Sequence, residues 1–341
     1  MDHGGSLARA RALFPDAPEP FVDLSTGINP HSYPLFSLPA TALTRLPEAS
    51  RLAELLGVAS ATYGAPSPAN VVAAPGTQIL LPRVAALVAR GRAAVLGPTY
   101  AEHARAAAIA GHATAETAAF EDLTDADLAI VVNPNNPDGR VVPRAQLLWL
   151  AERMKAKGGL LVVDEAFMDV GLHAESLAGE VEEGGVVVLR SFGKFYGLAG
   201  VRLGFALADR AAAARLAGEL GPWAVAGPAL EYGIAALRDG AWRADMQRTL
   251  AKQAARLDDL FGRFGVPVTG GTSLFRFIDF AGAAGLFATL GGQGVVLRHF
   301  AERPTVLRAG LPGCQEEWQR LENALALWAG QRDDRAARSM Q

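Results

Sequence analysis

Short apolar runs alternate along the chain with longer segments whose apolar residues recur at helical spacing. Ala93–Leu96, Leu128–Val132, Leu160–Val163 and Val186–Leu189 are four or five residues long and bounded by polar or turn-forming residues, and they read as strands buried on both faces. Gln78–Arg90 carries Leu80, Leu81, Val84, Leu87 and Val88 at helical spacing; Glu102–Ala110 reads as an alanine-rich helix and Arg144–Lys157 as an amphipathic one. Strands alternating with helices predict an α/β architecture, a large domain whose mostly parallel sheet is sandwiched by helices. After Ala241 the pattern changes to a long charged helix, Trp242–Phe264, followed by shorter elements that include Ser273–Ile278 and Val295–Arg298. This predicts a smaller α+β domain. The expected division is an N-terminal segment over residues 1–40 that joins the small domain, a large domain over 41–240, the small C-terminal domain over 241–330 and a frayed tail over 331–341. No internal repeat is visible.

In an open α/β sheet, ligands bind outside the carboxyl ends of the strands. The residues that follow the apolar runs are polar in every case: Asn133 to Gly139 after Val132, Asp164 and Glu165 after Val163, and Arg190, Ser191 and Lys194 after Leu189. Pro75-Gly76-Thr77-Gln78, ahead of a helical segment, offers backbone N–H groups and a hydroxyl to an anion. Together these supply a phosphate cradle, a carboxylate, a carboxamide, an amine and, with Arg202, a guanidinium.

Lysine usage sharpens the picture. Of 32 lysine and arginine residues only Lys155, Lys157, Lys194 and Lys252 are lysine. A lysine kept beside an apolar strand in so arginine-rich a chain suggests an amine that must lose its proton, which a guanidinium does not do. Imine chemistry with a carbonyl is the first hypothesis. Ser191-x-x-Lys194 also fits a serine acyl-enzyme signature, but that reading needs a Lys-Thr-Gly, and none of the four lysines precedes threonine. Gly193, Gly197 and Gly200 do not form a dinucleotide fingerprint.

Composition narrows the class. At 341 residues, 50% hydrophobic and 20% charged, the chain is long enough for two domains with a substantial core. A net charge of −3 argues against a nucleic-acid surface. One cysteine, Cys314, forms no internal disulfide, and no Cys/His cluster has metal-binding spacing. The opening Met-Asp-His-Gly-Gly-Ser lacks a basic segment followed by an apolar one, and no run is long enough to cross a bilayer, so a cytoplasmic protein without a membrane partner is expected.

Taken singly, an aspartate after a strand reads as a helix cap and Asn-Asn-Pro-Asp-Gly as a turn. In order along one chain, Asn135-Asn136-Pro137-Asp138-Gly139, Asp164-Glu165-Ala166-Phe167, Ser191-Phe192-Gly193-Lys194 and Gly200-Val201-Arg202-Leu203-Gly204 resemble the fold-type I pyridoxal-phosphate enzymes, the class I and II aminotransferases and their decarboxylase relatives, from about Leu24 to Leu311. The resemblance implies pyridoxal 5′-phosphate as cofactor and a homodimer. It implies that Lys194 forms the internal aldimine, that Asp164 pairs with the pyridinium nitrogen so the ring can act as an electron sink, and that Asn136 bonds the phenolic oxygen. By the same resemblance Gly76, Thr77, Gln78, Ser191 and Arg202 hold the phosphate and Tyr100 stacks on the ring, although Tyr100 also reads as a core aromatic. Two departures stand out. Phe167 replaces a tyrosine that donates to the phenolic oxygen, and Leu46 stands where many relatives carry a tyrosine that reaches the partner's phosphate.

Substrate groups decide which bond at Cα breaks. Arg308 matches the arginine that binds the substrate carboxylate, and Arg298 is a second cation, with Arg276 a third; each also fits a surface ion pair. His3-Gly4-Gly5 and Phe21 to Pro30, including Asn29, are similar to the opening of the L-threonine-O-3-phosphate decarboxylases of cobalamin biosynthesis, where this segment folds over the site and contacts the substrate phosphate. Residues 1–5 also read as an unstructured terminus. The expected activity is therefore decarboxylation of L-threonine O-3-phosphate, a small phosphorylated amino acid. The alternatives are a histidinol-phosphate or related aminotransferase, and a catalytically silent binder of the cofactor.

Overall fold

The computed structural model describes residues 4–339, with side chains described as far as Arg332. The chain forms two compact units, one of Ser32–Asp245 and one assembled from both chain ends, Met1–His31 with Met246–Gln341. A short strand, β1 (Val22–Leu24), precedes the larger unit, which contributes β2 (Val71–Ala74), β3 (Arg92–Leu96), β4 (Ala113–Thr117), β5 (Leu128–Val132), β6 (Leu160–Asp164), β7 (Val186–Ser191) and β8 (Gly204–Leu207). The chain then continues to β9 (Val268–Thr272), β10 (Phe275–Asp279), β11 (Val295–His299) and β12 (Val306–Gly310).

In the larger unit seven strands run in the order β2-β8-β7-β6-β5-β3-β4, all parallel except β8. Both faces are covered. Alternate residues such as Val72, Val95, Ile130, Val162 and Leu189 pack with Ala106, Ala107, Ala213 and Leu216 of helices Glu102–Ile109 and Arg210–Leu220. The intervening Val131, Leu161, Val163 and Val188 are equally buried, and helix Arg144–Ala156 lies against β6. Each such Val or Leu contributes roughly 1.5–3 kcal/mol when fully removed from water.

The antiparallel β8 shapes the edge where the candidate residues gather. Its first residue, Gly204, pairs with Ala74 at the end of β2 and with Ser191 at the end of β7. Reversing this one strand brings Arg202, just before β8, to the edge where β2 and β7 finish. A Cβ on Gly204 would lie 2.6 Å from the Thr77 backbone nitrogen, so this close approach requires glycine.

Strand alternation also splits neighbouring residues between site and core. Glu165, next to Asp164, turns to Arg190, whose guanidinium meets Glu165 Oε2 at 2.9 Å and Asp169 Oδ1 at 3.0 Å and donates to Ser176. Arg190 and Glu165 are fully buried and Asp169 is 1% exposed. Burial pushes the Glu165 carboxyl up, and Arg190 opposes the shift.

In the smaller unit five strands run in the order β1-β11-β12-β10-β9, with β1 parallel to β11 and the other pairs antiparallel. The expected helix Gln78–Arg90 is instead a 3₁₀ turn, Thr77–Ile79, and a short helix, Leu81–Ala85. It stops because the Leu87 N–H bonds back to Val84 and the freed Ala86 carbonyl accepts from Arg215 Nη2 at 2.8 Å. Of the tail over 331–341, expected to be frayed, residues 331–339 continue helix Gln315–Ser339, as their alanine- and arginine-rich sequence favours, and residues 340–341 lie outside the described residues. Among the described residues no helix is long and apolar enough to cross a membrane.

Replacing Arg190 with alanine leaves Glu165 and Asp169 buried without their cation. The expected loss is about 3–5 kcal/mol of stability. Urea denaturation followed by circular dichroism measures it, and a loss below about 1 kcal/mol contradicts this account of the network.

Candidate functional site

The polar residues expected at the strand ends come together in the larger unit. Asp164 closes β6, is 6% exposed, and accepts from the Ala166 N–H at 3.0 Å and from His103 Nε2 at 2.8 Å. His103, itself buried, comes from the first turn of helix Glu102–Ile109, 61 residues away in sequence. The sequence reading missed it. The available signal was its position three residues after Tyr100, on the inward face of a helix.

Lys194 lies in the short helix Phe192–Phe195 that follows Ser191. Its Nζ sits 5.9 Å from the Phe167 ring centroid. Phe167 is buried and presents only an aromatic face, with no hydroxyl to donate. Behind Lys194, Tyr196 is buried and stacked on Phe192 at 4.6 Å and on Trp242 at 5.6 Å, which immobilises the turn that carries the amine.

Asn136, half-buried, follows β5 in a turn tied to the loop that carries Tyr100. Asn135 Nδ2 donates to the Pro98 carbonyl at 3.0 Å, and Thr99 Oγ1 donates to Asn135 Oδ1 at 2.6 Å. Tyr100 meets His103 edge-on, with ring centroids 6.0 Å apart. Burial first, then the negative charges of Glu102 and Asp164, push its hydroxyl up to about 12, with Arg202 opposing.

Gly76 adopts φ +84°, and a Cβ there would fall 2.6 Å from Arg202 Nη2. The positive φ favours glycine here, and its bare backbone leaves room for the Arg202 guanidinium against the Gly76–Thr77 turn. Arg202 is itself left-handed at φ 55° and donates from Nη1 to the Ala199 carbonyl at 3.1 Å. The turn lies against the Arg202 guanidinium, and Gly204, which approaches the same turn, pairs in register with Ser191, so the expected phosphate-binding residues are brought to one place. The Gln78 side chain, expected to face that anion, is engaged elsewhere: Nε2 donates to Glu102 Oε2 at 2.7 Å, and Oε1 accepts from the Tyr100 hydroxyl at 3.2 Å.

The other expected residues belong to the smaller unit. Arg298 on β11 and Arg308 on β12 are direct cross-strand partners, so two guanidinium side chains share one face of the sheet. Arg308 is 8% exposed, donates to the Ser25 carbonyl at 2.8 Å and lies over Phe275. Burial, reinforced by Arg298 and opposed by Asp23, brings its guanidinium down to about 10. A cation disfavoured in this way gains from an added anion. Arg276, the weaker third cation, pairs with Asp258 and donates to the Thr272 carbonyl. Ser25 organises the N-terminal segment. Its hydroxyl accepts from the Gly5 N–H at 2.8 Å and donates to Asp23, and a Cβ on Gly4 would lie 2.4 Å from its carbonyl oxygen. Asn29 is buried and its Oδ1 accepts from the His31 N–H at 2.8 Å. His3 lies outside the described residues.

Comparison with known proteins bears on this arrangement. The model of the family aminotransferase class I and II matches residues 47–325. The chain is 41% identical to a threonine-phosphate decarboxylase of Pseudomonas aeruginosa over 328 residues, covering 95% of this chain and 97% of that one. It is 42% identical to a threonine-phosphate decarboxylase of a Sinorhizobium species, again covering 95% and 97%. Its fold is similar to that of the histidinol-phosphate aminotransferase of Sinorhizobium meliloti, solved in complex with pyridoxal-5′-phosphate, with a TM-score of 0.81 at 18% identity over 97% of this chain and 96% of that one. The chain belongs to the aminotransferase class I and II family.

Proposed function

We propose that the protein is a pyridoxal-phosphate-dependent decarboxylase that converts L-threonine O-3-phosphate to (R)-1-aminopropan-2-yl phosphate and CO2. The observation that carries this reading is the identity of 41–42%, over nearly the whole of each chain, with two threonine-phosphate decarboxylases. The residues of the larger unit fit the cofactor. The turn at Gly76, which a Cβ would obstruct, together with Arg202 and Ser191 suits a phosphate group, and a buried carboxylate and an amine stand at the ends of β6 and β7.

When bound, pyridoxal phosphate supplies an electron sink for the charge left as a bond to Cα breaks. In our reading Lys194 Nζ provides the amine that links the cofactor and gives way to the substrate amine, and later helps return a proton to Cα. The Asp164 carboxylate, oriented by His103, would pair with the ring nitrogen. Tyr100 and Asn136 would help hold the ring, Tyr100 through its aromatic face and Asn136 through its carboxamide. Phe167, which has no hydroxyl, would offer no second donor beside Asn136. Arg308 and Arg298 bind the acidic groups of the substrate, and the pull of an anion on the buried Arg308 supports that assignment. Gly4 and Asn29, with His3, are assigned to the substrate on the likeness of the N-terminal segment to the same decarboxylases.

The reading includes a homodimer and a place in the aminopropanol arm of cobalamin synthesis. The exposed apolar side chains of Leu35, Leu43 and Leu46, at 71%, 74% and 64% exposure, support a self-association surface in the larger unit. A cytoplasmic location accords with a single cysteine.

Two measurements test this function. Enzyme given threonine phosphate is expected to release CO2 without 2-oxoglutarate; glutamate formed from 2-oxoglutarate with no CO2 indicates the aminotransferase instead. No turnover of any phosphorylated amino acid, with the visible band of bound cofactor present, indicates a silent binder. Gly76→Ala forces a side chain against Arg202 at a positive φ, and is expected to weaken cofactor binding roughly tenfold, equivalent to about 1.4 kcal/mol. Equilibrium titration with the cofactor measures this, and unchanged affinity removes the cradle assignment.

A further inference from the structure

The function proposed above does not use Glu102, a carboxylate that is 6% exposed and sits next in sequence to His103. It opens helix Glu102–Ile109 but does not cap it, since the residue at the cap position is Ala101 and makes no side-chain cap bond. Its Oε2 accepts from Arg105 Nη1 at 3.1 Å, an ordinary pairing one helical turn apart in which Arg105 is 56% exposed. Such a pair is worth little and does not explain why the carboxylate is buried. The shorter bond, 2.7 Å, reaches across 24 residues to the Gln78 carboxamide.

That bond sets the direction of everything beyond it. A carboxylate oxygen only accepts, so Gln78 must turn its NH2 to Glu102 and its carbonyl to Tyr100, and the Tyr100 hydroxyl must donate. The amide orientation is therefore imposed by its partners. A tyrosine hydroxyl is protonated at neutral pH, and burial here moves it further from ionising, so the donor is present. A phenol anchored at its oxygen loses its freedom to swing about the Cα–Cβ bond. The same ring meets His103 edge-on, and His103 holds Asp164.

We propose that Glu102 is a positioning residue for the cofactor, which acts through the Gln78 carboxamide to fix the Tyr100 ring over the site. Consecutive residues of one helical turn thus serve two walls of the site, Glu102 through Gln78 to Tyr100 and His103 to Asp164. The inference rests on the assignment of Tyr100 as the residue that covers the cofactor ring.

A double-mutant cycle tests it, read as the cofactor dissociation constant and the induced visible circular dichroism of the holoenzyme. Glu102→Ala and Tyr100→Phe are each expected to weaken cofactor binding roughly tenfold and to reduce the induced signal, as befits loss of a charge-assisted bond and of the donor it orients. The double variant is expected to be within about twofold of either single one, because both break the same chain of bonds. Glu102→Gln retains an acceptor for Gln78 and is expected to restore most of the binding. If Glu102→Ala does not fold, Gln78→Met interrupts the same relay and takes its place in the cycle. Fully multiplied effects, wild-type affinity and dichroism in the relay-breaking variant, or a Glu102→Gln protein as weak as Glu102→Ala each overturn the proposal. Wild-type protein that binds no cofactor removes the underlying function instead.

Discussion

A carboxylate buried where a parallel strand ends needs a partner, and the contact between Asp164 and His103 meets that need. Much of the larger unit is arranged around it. The pleat of β6 sends Asp164 to one side and Glu165 to the other, where Arg190 receives it. One strand end therefore supplies the functional edge and anchors the core beneath it. Because Arg190 precedes Ser191, the same clamp holds the strand that delivers Lys194. Position at the site is thus inherited from packing: the Glu165–Arg190–Asp169 cluster and the aromatic stack around Tyr196 restrict the chain on both sides of the chemistry.

The smaller unit solves a different problem. It sets two arginines opposite each other on neighbouring strands and buries one of them, a repulsion that Asp23 opposes. Ser25 partly relieves it by offering its carbonyl to Arg308, while its hydroxyl receives the Gly5 N–H. The N-terminal segment and the basic strand pair are thereby joined through one residue, and β1, in parallel register with β11, holds Ser25 in place.

The parts of this structure visible in the sequence are those whose chemistry is local. Four apolar runs marked β3, β5, β6 and β7 because strands buried on both faces carry continuous hydrophobic sequence, and the polar residues after them marked the functional edge. The strands β4, with the sequence Ala-Thr-Ala-Glu-Thr, and β9, Val-Thr-Gly-Gly-Thr, were not visible, because edge strands need no apolar alternation. The helix expected over Gln78–Arg90 ended early through carbonyl bonds to Arg215, a residue more than a hundred positions away. His103 and Glu102 were hidden for the same reason. Polar residues in the first turn of a helix ordinarily face water, and only the tertiary fold reveals partners 61 and 24 residues distant. The Gln78 side chain was misdirected on similar grounds, since its position beside Gly76 suggested an anion, whereas Glu102 claims its amide.

Lys194, one of four lysines, is the residue assigned to carry the cofactor. Borohydride reduction of the holoenzyme followed by peptide mapping by mass spectrometry tests it directly. A pyridoxyl group on Lys194 alone is the predicted result; modification of Lys155, Lys157 or Lys252 in its place, or no modified lysine in protein saturated with pyridoxal phosphate, contradicts it.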